Sequence, residues 1–424
     1  MVKKYFTCYW EKIKSSFIFV LQRLFITIEQ FTKNGLMNHA AACAFGFLLS
    51  AAPALLFVSF VLSRAFAITP ESVEVFFGRM EPLFGAFDVN YLLGNFLGES
   101  NYGLAGLVSI VTIFWTTRLC ALSIQRGLNI IFPGSRSLVK ENAIVLGIGL
   151  FAMVILIVSI VGFRFLVALF NTAGIMPAGA FAQVLMHSTR LYFLIGITAL
   201  VMAAYRFFPA NPPELKKIIP GVLVCIILQG LFASVFSNSI DPDRYNLLYG
   251  TLGRLFLFLM NIYFFFAFFF LGAQLTKTLS AFDAFLFIRF RQVHSSGKKP
   301  KTIFEKIFSS AKGALGKYEE SYKEGANIFT RDSTGQEVYY ILSGTAGVYR
   351  DKKFQNRVAV VGEGSFFGEM ASITKDGRAA SIKAESDITV LTLPPDLFSL
   401  ILDMDPDTDQ HLIKALSQQL KSVN

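Results

Sequence analysis

The sequence predicts two halves of different fold class: an α-helical polytopic membrane domain with six transmembrane helices, followed by a C-terminal α+β domain built on a β-roll. Three observations carry this. The 424 residues have a mean hydropathy of +0.53 and only 16% charged residues, against about 25% in soluble chains. Residues 298–424 hold 17 Lys+Arg and 17 Asp+Glu while residues 1–297 hold 22 and 12, so the net charge of +10 sits in the apolar half. Long apolar runs end near residue 276, and short β-type runs separated by Gly and Asp replace them. A single soluble globular domain is thereby excluded, and the pI of 9.3 reflects membrane topology before nucleic acid, which is not expected as a partner. Cys8, Cys43, Cys120 and Cys225 have no Cys-x-x-Cys spacing and read as reduced packing residues.

Each element follows in chain order. Residues 1–35 form a cytoplasmic leader in which Phe17, Leu21, Leu24, Phe25 and Ile28 recur at helical spacing, the pattern of a helix lying in the interface. Gln22 and Arg23 interrupt this stretch and no small-residue cleavage site follows it, which argues against a signal peptide. A spanning helix needs about 20 mostly apolar residues, and runs at 36–66, 103–118, 142–170, 183–208, 218–237 and 250–276 qualify within a membrane domain placed at 36–280. Basic residues alternate between connections. Lys3, Lys4, Lys12, Lys14, Arg23 and Lys33 precede the first span, while the 67–102 connection has Arg79 against five acids. Arg118, Arg126, Arg136 and Lys140 follow the second span, and Lys277, Arg289, Arg291, Lys298 and Lys299 follow the last. The positive-inside rule then places both termini in the cytoplasm of a multi-pass inner-membrane protein.

Two positions in the spans are candidates for a membrane pathway. Pro53 removes a backbone hydrogen bond beside the small residues Ala40, Ala41, Ala42, Ala44, Gly46 and Ser50, which fits either close packing or a hinge in a transport cycle. Arg164, within Ile160-Val161-Gly162-Phe163-Arg164-Phe165, lines a pathway or snorkels to the outer headgroups.

The segments His39-Ala40-Ala41-Ala42-Cys43-Ala44-Phe45, Gln125-Arg126-Gly127-Leu128-Asn129, Tyr205-Arg206-Phe207-Phe208-Pro209, Tyr245-Asn246-Leu247-Leu248-Tyr249-Gly250 and Leu271-Gly272-Ala273-Gln274-Leu275 resemble the YihY/BrkB family over roughly residues 30–280. The resemblance implies six inner-membrane helices with cytoplasmic ends and brings no catalytic residues. Transporter or exporter is the role commonly assigned to that family, and an old ribonuclease BN label also attaches to it. Metal-dependent nuclease chemistry would need clustered ligands for two ions about 3.5–4 Å apart. His39, His187, His294 and His411 lie in separate segments, so no enzyme activity, metal or cofactor is expected.

Residues 281–320 read as a basic linker and coupling helix, with Ile303, Phe304, Ile307, Phe308 and Ala311 at helical spacing over Lys301–Tyr322. Residues 321–424 form the roll. Strands are expected near 338–342, 346–350, 357–361, 379–384 and 388–393, with helices at 395–403 and 406–422. Between strands lies Gly364-Ser365-Phe366-Phe367-Gly368-Glu369-Met370-Ala371-Ser372-Ile373, then Gly377-Arg378-Ala379-Ala380-Ser381. Glycine lets backbone approach an anion, Arg378 offers a fixed fork for phosphate, and Glu369 offers an acceptor for a sugar hydroxyl.

These motifs resemble the phosphate-binding cassette of cyclic-nucleotide-binding domains, as in protein kinase A regulatory subunits and the catabolite activator family. The resemblance implies that Glu369 takes the ribose 2′-hydroxyl and Arg378 the cyclic phosphate. The backbone of Gly368, Met370 and Ala379 would complete the anion site, and Ala379 leans toward cAMP over cGMP. Gly377 stands where a proline is usual. A structural Glu369–Arg378 salt bridge without a ligand is the alternative for this pair. Cyclic-nucleotide-gated channels share the layout, but 238–249 is too short for a pore helix and selectivity filter. The expected function is a membrane transporter or exporter regulated by cyclic nucleotide; the alternative is a non-transporting envelope scaffold with the roll as an interaction module. Expected partners are the lipid bilayer and cyclic nucleotide, with a homo-oligomer left open.

Overall fold

The computed structural model describes residues 2–65, 120–134, 142–149, 180–239, 251–295 and 314–405, with single positions at 118, 137, 140, 151, 154 and 158. These residues fall into two compact units, one of residues 27–280 and one joining residues 1–26 to 281–424.

The first unit is helical. Helix α1 (Val2–Lys33) begins in the other unit and ends here, and α2 (Leu36–Ala65) follows after the turn at Asn34-Gly35, where Gly35 has φ +61°. Residues 120–131 (α3) and 142–149 (α4) are helical, then α5 (Ala180–Phe207), α6 (Leu215–Ser239) and α7 (Thr251–Ser280). Among the described residues, two segments are long and apolar enough to cross a membrane, Leu215–Phe236 and Leu255–Ser280, with shorter apolar helices at Leu36–Ser50 and Leu194–Phe207. The expected span at 103–118 and most of that at 142–170, including Arg164, lie outside the described residues; α2 continues as helix through Pro53, whose side chain is also outside them.

Glycine sets the closest helix contact. A Cβ on Gly272 of α7 would meet the Gly221 carbonyl oxygen of α6 at 2.4 Å, and one on Gly221 would meet the Gly272 carbonyl at the same distance. Backbone touches backbone, the packing that small residues permit between apolar helices. The buried Tyr205 of α5 donates its hydroxyl hydrogen to the Phe269 carbonyl beside this crossing. A Cβ on Gly127 would overlap the Phe270 ring at 2.4 Å, so α3 also lies directly on α7. Gln229 donates to Asn261 (2.9 Å) between α6 and α7, an interhelical amide pair of the kind that holds helices together in an apolar surround.

The second unit is built on the roll. Helix α8 (Phe282–Ser295) starts after one intervening residue, Ala281, and a 3₁₀ turn at Ala314–Tyr318 precedes the strands. Strands β1 (Glu319–Tyr322), β8 (Ile388–Leu393), β3 (Val338–Ser343) and β6 (Phe366–Phe367) form one antiparallel sheet in that order. The other contains β2 (Asn327–Phe329), β7 (Ser381–Ala384), β4 (Ala346–Tyr349) and β5 (Arg357–Val361). The short helices α9 (Glu369–Thr374) and α10 (Pro395–Met404) complete the described part. Alternation puts Tyr339 and Ile341 in one buried cluster and Val338 and Tyr340 in another, so β3 is covered on both faces.

Only the C-terminal end of the coupling helix expected over 301–322 falls in the described part, and there the expectation is corrected. Ala314–Tyr318 is a 3₁₀ turn and Glu319–Tyr322 a strand; residues 301–313 lie outside the described part. Glu319, Glu320 and Ser321 pair in register with Leu391, Val390 and Thr389, so ladder bonds draw the end of that segment into the sheet. Among the described residues, helix α8 packs on the roll. Its Asp283 accepts from Lys317 Nζ (2.6 Å) and the Tyr318 hydroxyl (2.9 Å), Arg291 pairs with Asp405 (2.7 Å), and Phe287 meets Tyr340 edge-on at 5.3 Å. Residues 406–424, with the expected final helix, lie outside the described residues.

Gly272→Val should cost about 1–3 kcal/mol, as overpacking does, and lower the thermal midpoint of the detergent-solubilised protein. Gly230→Ala, on α6 with nothing within 4 Å of the added methyl, should leave the midpoint unchanged or raise it. Equal midpoints for all three proteins would show that the glycine crossing is not a tight contact.

Candidate functional site

The segment from β6 to β7 is folded against the loop between β2 and β3. Gly368 has φ +81°, a left-handed conformation that turns the chain from β6 into α9. A Cβ there would meet Arg378 Nη1 at 2.6 Å and the Glu337 carbonyl oxygen at 3.2 Å, so the position needs glycine for space as well as for conformation. The backbone of Arg378 is tied at both ends: its N–H donates to the Ser333 carbonyl (3.0 Å), and its carbonyl accepts from the Asp332 N–H (2.8 Å). The Arg331 N–H donates to Oγ of the fully buried Ser381 (2.9 Å), extending the seam.

Those ties drive the Arg378 side chain inward, where it is only 2% exposed. Its Nη1 donates to the carbonyls of Glu337 (2.8 Å) and Gly368 (3.0 Å), and its Nη2 donates to Glu337 Oε2 (3.2 Å). The guanidinium carbon lies 4.2 Å from the centroid of the Phe329 ring and 5.7 Å from that of Tyr339, close enough for cation–π attraction. Nε is buried without a hydrogen-bond partner. A guanidinium has a bidentate edge formed by Nε and one Nη, and here that edge has one free and one occupied position.

Glu369, the first residue of α9, is 6% exposed. Burial raises its carboxyl above the ordinary carboxylate range, opposed by its own backbone N–H and by the charge of Arg378. Arg378 is itself lowered by burial, against the opposing influence of Tyr339, Glu337 and Glu369. The ion pair of Arg378 is with Glu337, at 3.2 Å, and not with Glu369 as a purely structural reading of the two sequence-selected residues would have it. The structure thus brings Gly368, Glu369 and Arg378 together. Met370 is half-buried in α9 and Ala379 is exposed beside Arg378, whereas Arg164 and the Pro53 side chain lie outside the described residues.

Sequence reasoning missed Glu337, Phe329 and Tyr339. Glu337 is one acidic residue in a polar loop, and nothing in its spacing marks it as a neighbour of a residue 41 positions later. Tyr339 reads as an ordinary strand residue and Phe329 lies in a stretch with no strand signal, and only the pairing of β2 with β7 and of β3 with β6 brings them to the arginine.

The class of this unit is set by the match of its described strands to a known domain: the cyclic nucleotide-binding domain model matches residues 319–405. The chain belongs to the virulence factor BrkB family, whose model matches residues 27–284, more than half of its length. One chain therefore joins a BrkB-family region to a cyclic nucleotide-binding domain. Each of the following curated relatives matches less than a third of this chain. A cAMP-dependent protein kinase regulatory subunit of Debaryomyces hansenii is 37% identical over 131 residues, 30% of this chain and 25% of that protein. Potassium/sodium hyperpolarization-activated cyclic nucleotide-gated channel 1 of Oryctolagus cuniculus is 30% identical over 87 residues, 20% of this chain and 10% of the channel. The cyclic AMP receptor protein of Thermus thermophilus is 27% identical over 105 residues, 24% of this chain and 49% of the receptor. The chain spans at most about half the length of these three relatives.

Because burial holds the Glu369 proton to higher pH in the folded state than in the unfolded one, the folded state binds more protons just above the ordinary carboxylate value, and stability falls as pH rises through that window. Glu369→Gln should therefore raise the thermal midpoint relative to wild type at about pH 7, with the gap closing toward about pH 4. A lower midpoint for Glu369→Gln at neutral pH would mean that the folded carboxylate is ionised and stabilised by partners.

Proposed function

We propose that this protein is a multi-pass inner-membrane transporter or exporter, not an enzyme, whose working state is biased by a cyclic nucleotide bound on the cytoplasmic side. It has a leader at 1–35, six membrane helices within 36–280, a connecting segment at 281–320 and the nucleotide domain at 321–424. The observation that carries the nucleotide part is Arg378: a buried arginine with a free Nε beside a buried acid, at the Gly-Glu turn of a domain of this family. A cyclic phosphate would take the Nε/Nη2 edge. Glu369 would accept from the ribose 2′-hydroxyl, and the backbone N–H groups of Gly368, Met370 and Ala379 would face the remaining phosphate oxygens. The names of two relatives, a cAMP-dependent kinase subunit and a cyclic AMP receptor protein, support cAMP over cGMP.

Membrane embedding is supported by the BrkB-family match and by the surface of α6. Ile219, Leu223, Ile227, Leu231 and Val235 fall every fourth residue, and each is exposed. Such an apolar stripe suits lipid or a neighbouring apolar helix. Regulation requires that nucleotide bind two states of the protein with different affinity, and α8 is the element placed to carry that difference. It follows α7 after one residue, and its Phe287 packs on Phe366 (6.0 Å), in the strand that leads directly into Gly368 and Glu369.

Sealed vesicles test nucleotide and orientation together. Labelled cAMP should bind saturably to inverted inner-membrane vesicles carrying the protein and not to right-side-out ones. Arg378→Ala should weaken binding about a hundredfold or more, as loss of a buried bidentate charge partner does. No saturable binding in either orientation would remove the regulatory reading. Solute efflux identical with and without cAMP, in wild type and Arg378→Ala alike, would leave nucleotide binding without a transport role.

A further inference from the structure

The bidentate edge of Arg378 is already half taken. Nη1 points into the protein, held by two main-chain carbonyls, while the Nε/Nη2 edge has a free Nε and an Nη2 bonded to Glu337 Oε2. The two partners differ sharply in access: the Arg378 side chain is 2% exposed and that of Glu337 46%. The loop before β3 is set close over this pair, since a Cβ on Gly335 would lie 2.8 Å from Glu337 Oε2 and 3.0 Å from Arg378 Nη2.

We propose that Glu337 is a competing internal anion that holds the cyclic-phosphate edge of Arg378 shut and sets the affinity of the site. This rests on the reading of the domain as a cyclic nucleotide sensor. A phosphate on the Nε/Nη2 edge and the Glu337 carboxylate would both draw on Nη2, and two negative groups at about 4 Å repel. Binding must exchange one ion pair for another. Glu337 swings out to the solvent it already half faces, and the phosphate bonds Nε and Nη2. The exchange keeps net gain small, so the domain answers to a high concentration of nucleotide and releases it readily. The main-chain carbonyl of Glu337 keeps its bond to Nη1 through the exchange, so the arginine stays anchored when the side chain leaves.

That division of labour makes the test clean, because replacing the side chain leaves the main-chain anchor in place. Association and equilibrium binding of a fluorescent 3′,5′-cyclic AMP analogue would be measured on the full detergent-purified chain as wild type, Glu337→Gln, Glu337→Ala and Arg378→Ala. Glu337→Gln and Glu337→Ala should bind about three- to tenfold more tightly than wild type, the range expected from removing one half-exposed ion pair, with the gain in the association rate. Faster association is not what a variant that merely loosened the fold would show. Wild type too weak to measure beside a saturable Glu337→Gln would support the proposal most strongly. Unchanged or weaker binding by both Glu337 variants, with wild type saturable, overturns the competing-anion role and leaves nucleotide sensing standing. Absence of binding by wild type and both Glu337 variants overturns the sensing reading and this proposal with it.

Discussion

The account depends on one buried cation. Arg378 is enclosed by two main-chain carbonyls, an aromatic face and one carboxylate, an arrangement that offsets much of the desolvation a guanidinium suffers away from water. Yet Nε is left without a partner, and a buried donor without an acceptor is costly. An anion with two oxygens would satisfy that donor and replace the carboxylate at the same time. The backbone seam that places the arginine, Ser333 to Arg378 and Asp332 to Arg378, also ties the β2–β3 loop to the cassette.

Occupancy of that site has a short mechanical path outward. Phe366 precedes Gly368 by two residues and touches Tyr340 (5.0 Å), Phe287 of α8 (6.0 Å) and Phe398 of α10 (6.0 Å). Close-packed aromatic contacts of this kind do not deform smoothly, so a shift of the cassette repacks α8, α10 or both. At the other end of α8, His294 Nε2 lies 3.0 Å from Glu363, in the loop entering β6. One helix therefore packs an aromatic ring beside the entry to the cassette and brings His294 close to it without a hydrogen bond from Nε2.

The sequence was most legible where a local pattern decides structure. Strands at 357–361 and 388–393 were placed at their ends, because β-branched residues and flanking turns mark them. The two-residue strand at Phe366–Phe367 and the strands at 319–322 and 327–329 were missed. Each is short and defined by its partner in the ladder more than by its own residues, and Glu319-Glu320-Ser321 in particular carries no apolar alternation to announce a strand. The same limit applies to the site. Gly368, Glu369 and Arg378 form a local motif readable along the chain, whereas Glu337 reaches Arg378 only after β3 pairs with β6 and β8. Helical spacing over 301–311 predicts a coupling element that lies outside the described residues, whereas α8, which falls in the stretch read as a basic linker, packs its Phe282, Phe285, Phe287 and Phe290 into the core of the roll.

Nucleotide bound at Arg378 is expected to alter the packing of α8. Hydrogen exchange on the full detergent-purified chain, with and without saturating 3′,5′-cyclic AMP, tests it directly. The account predicts that protection changes both in 366–380 and in 282–295 of the wild-type protein, and in neither segment of Arg378→Ala. Protection confined to 366–380, with 282–295 exchanging at the same rate with and without ligand, would contradict it.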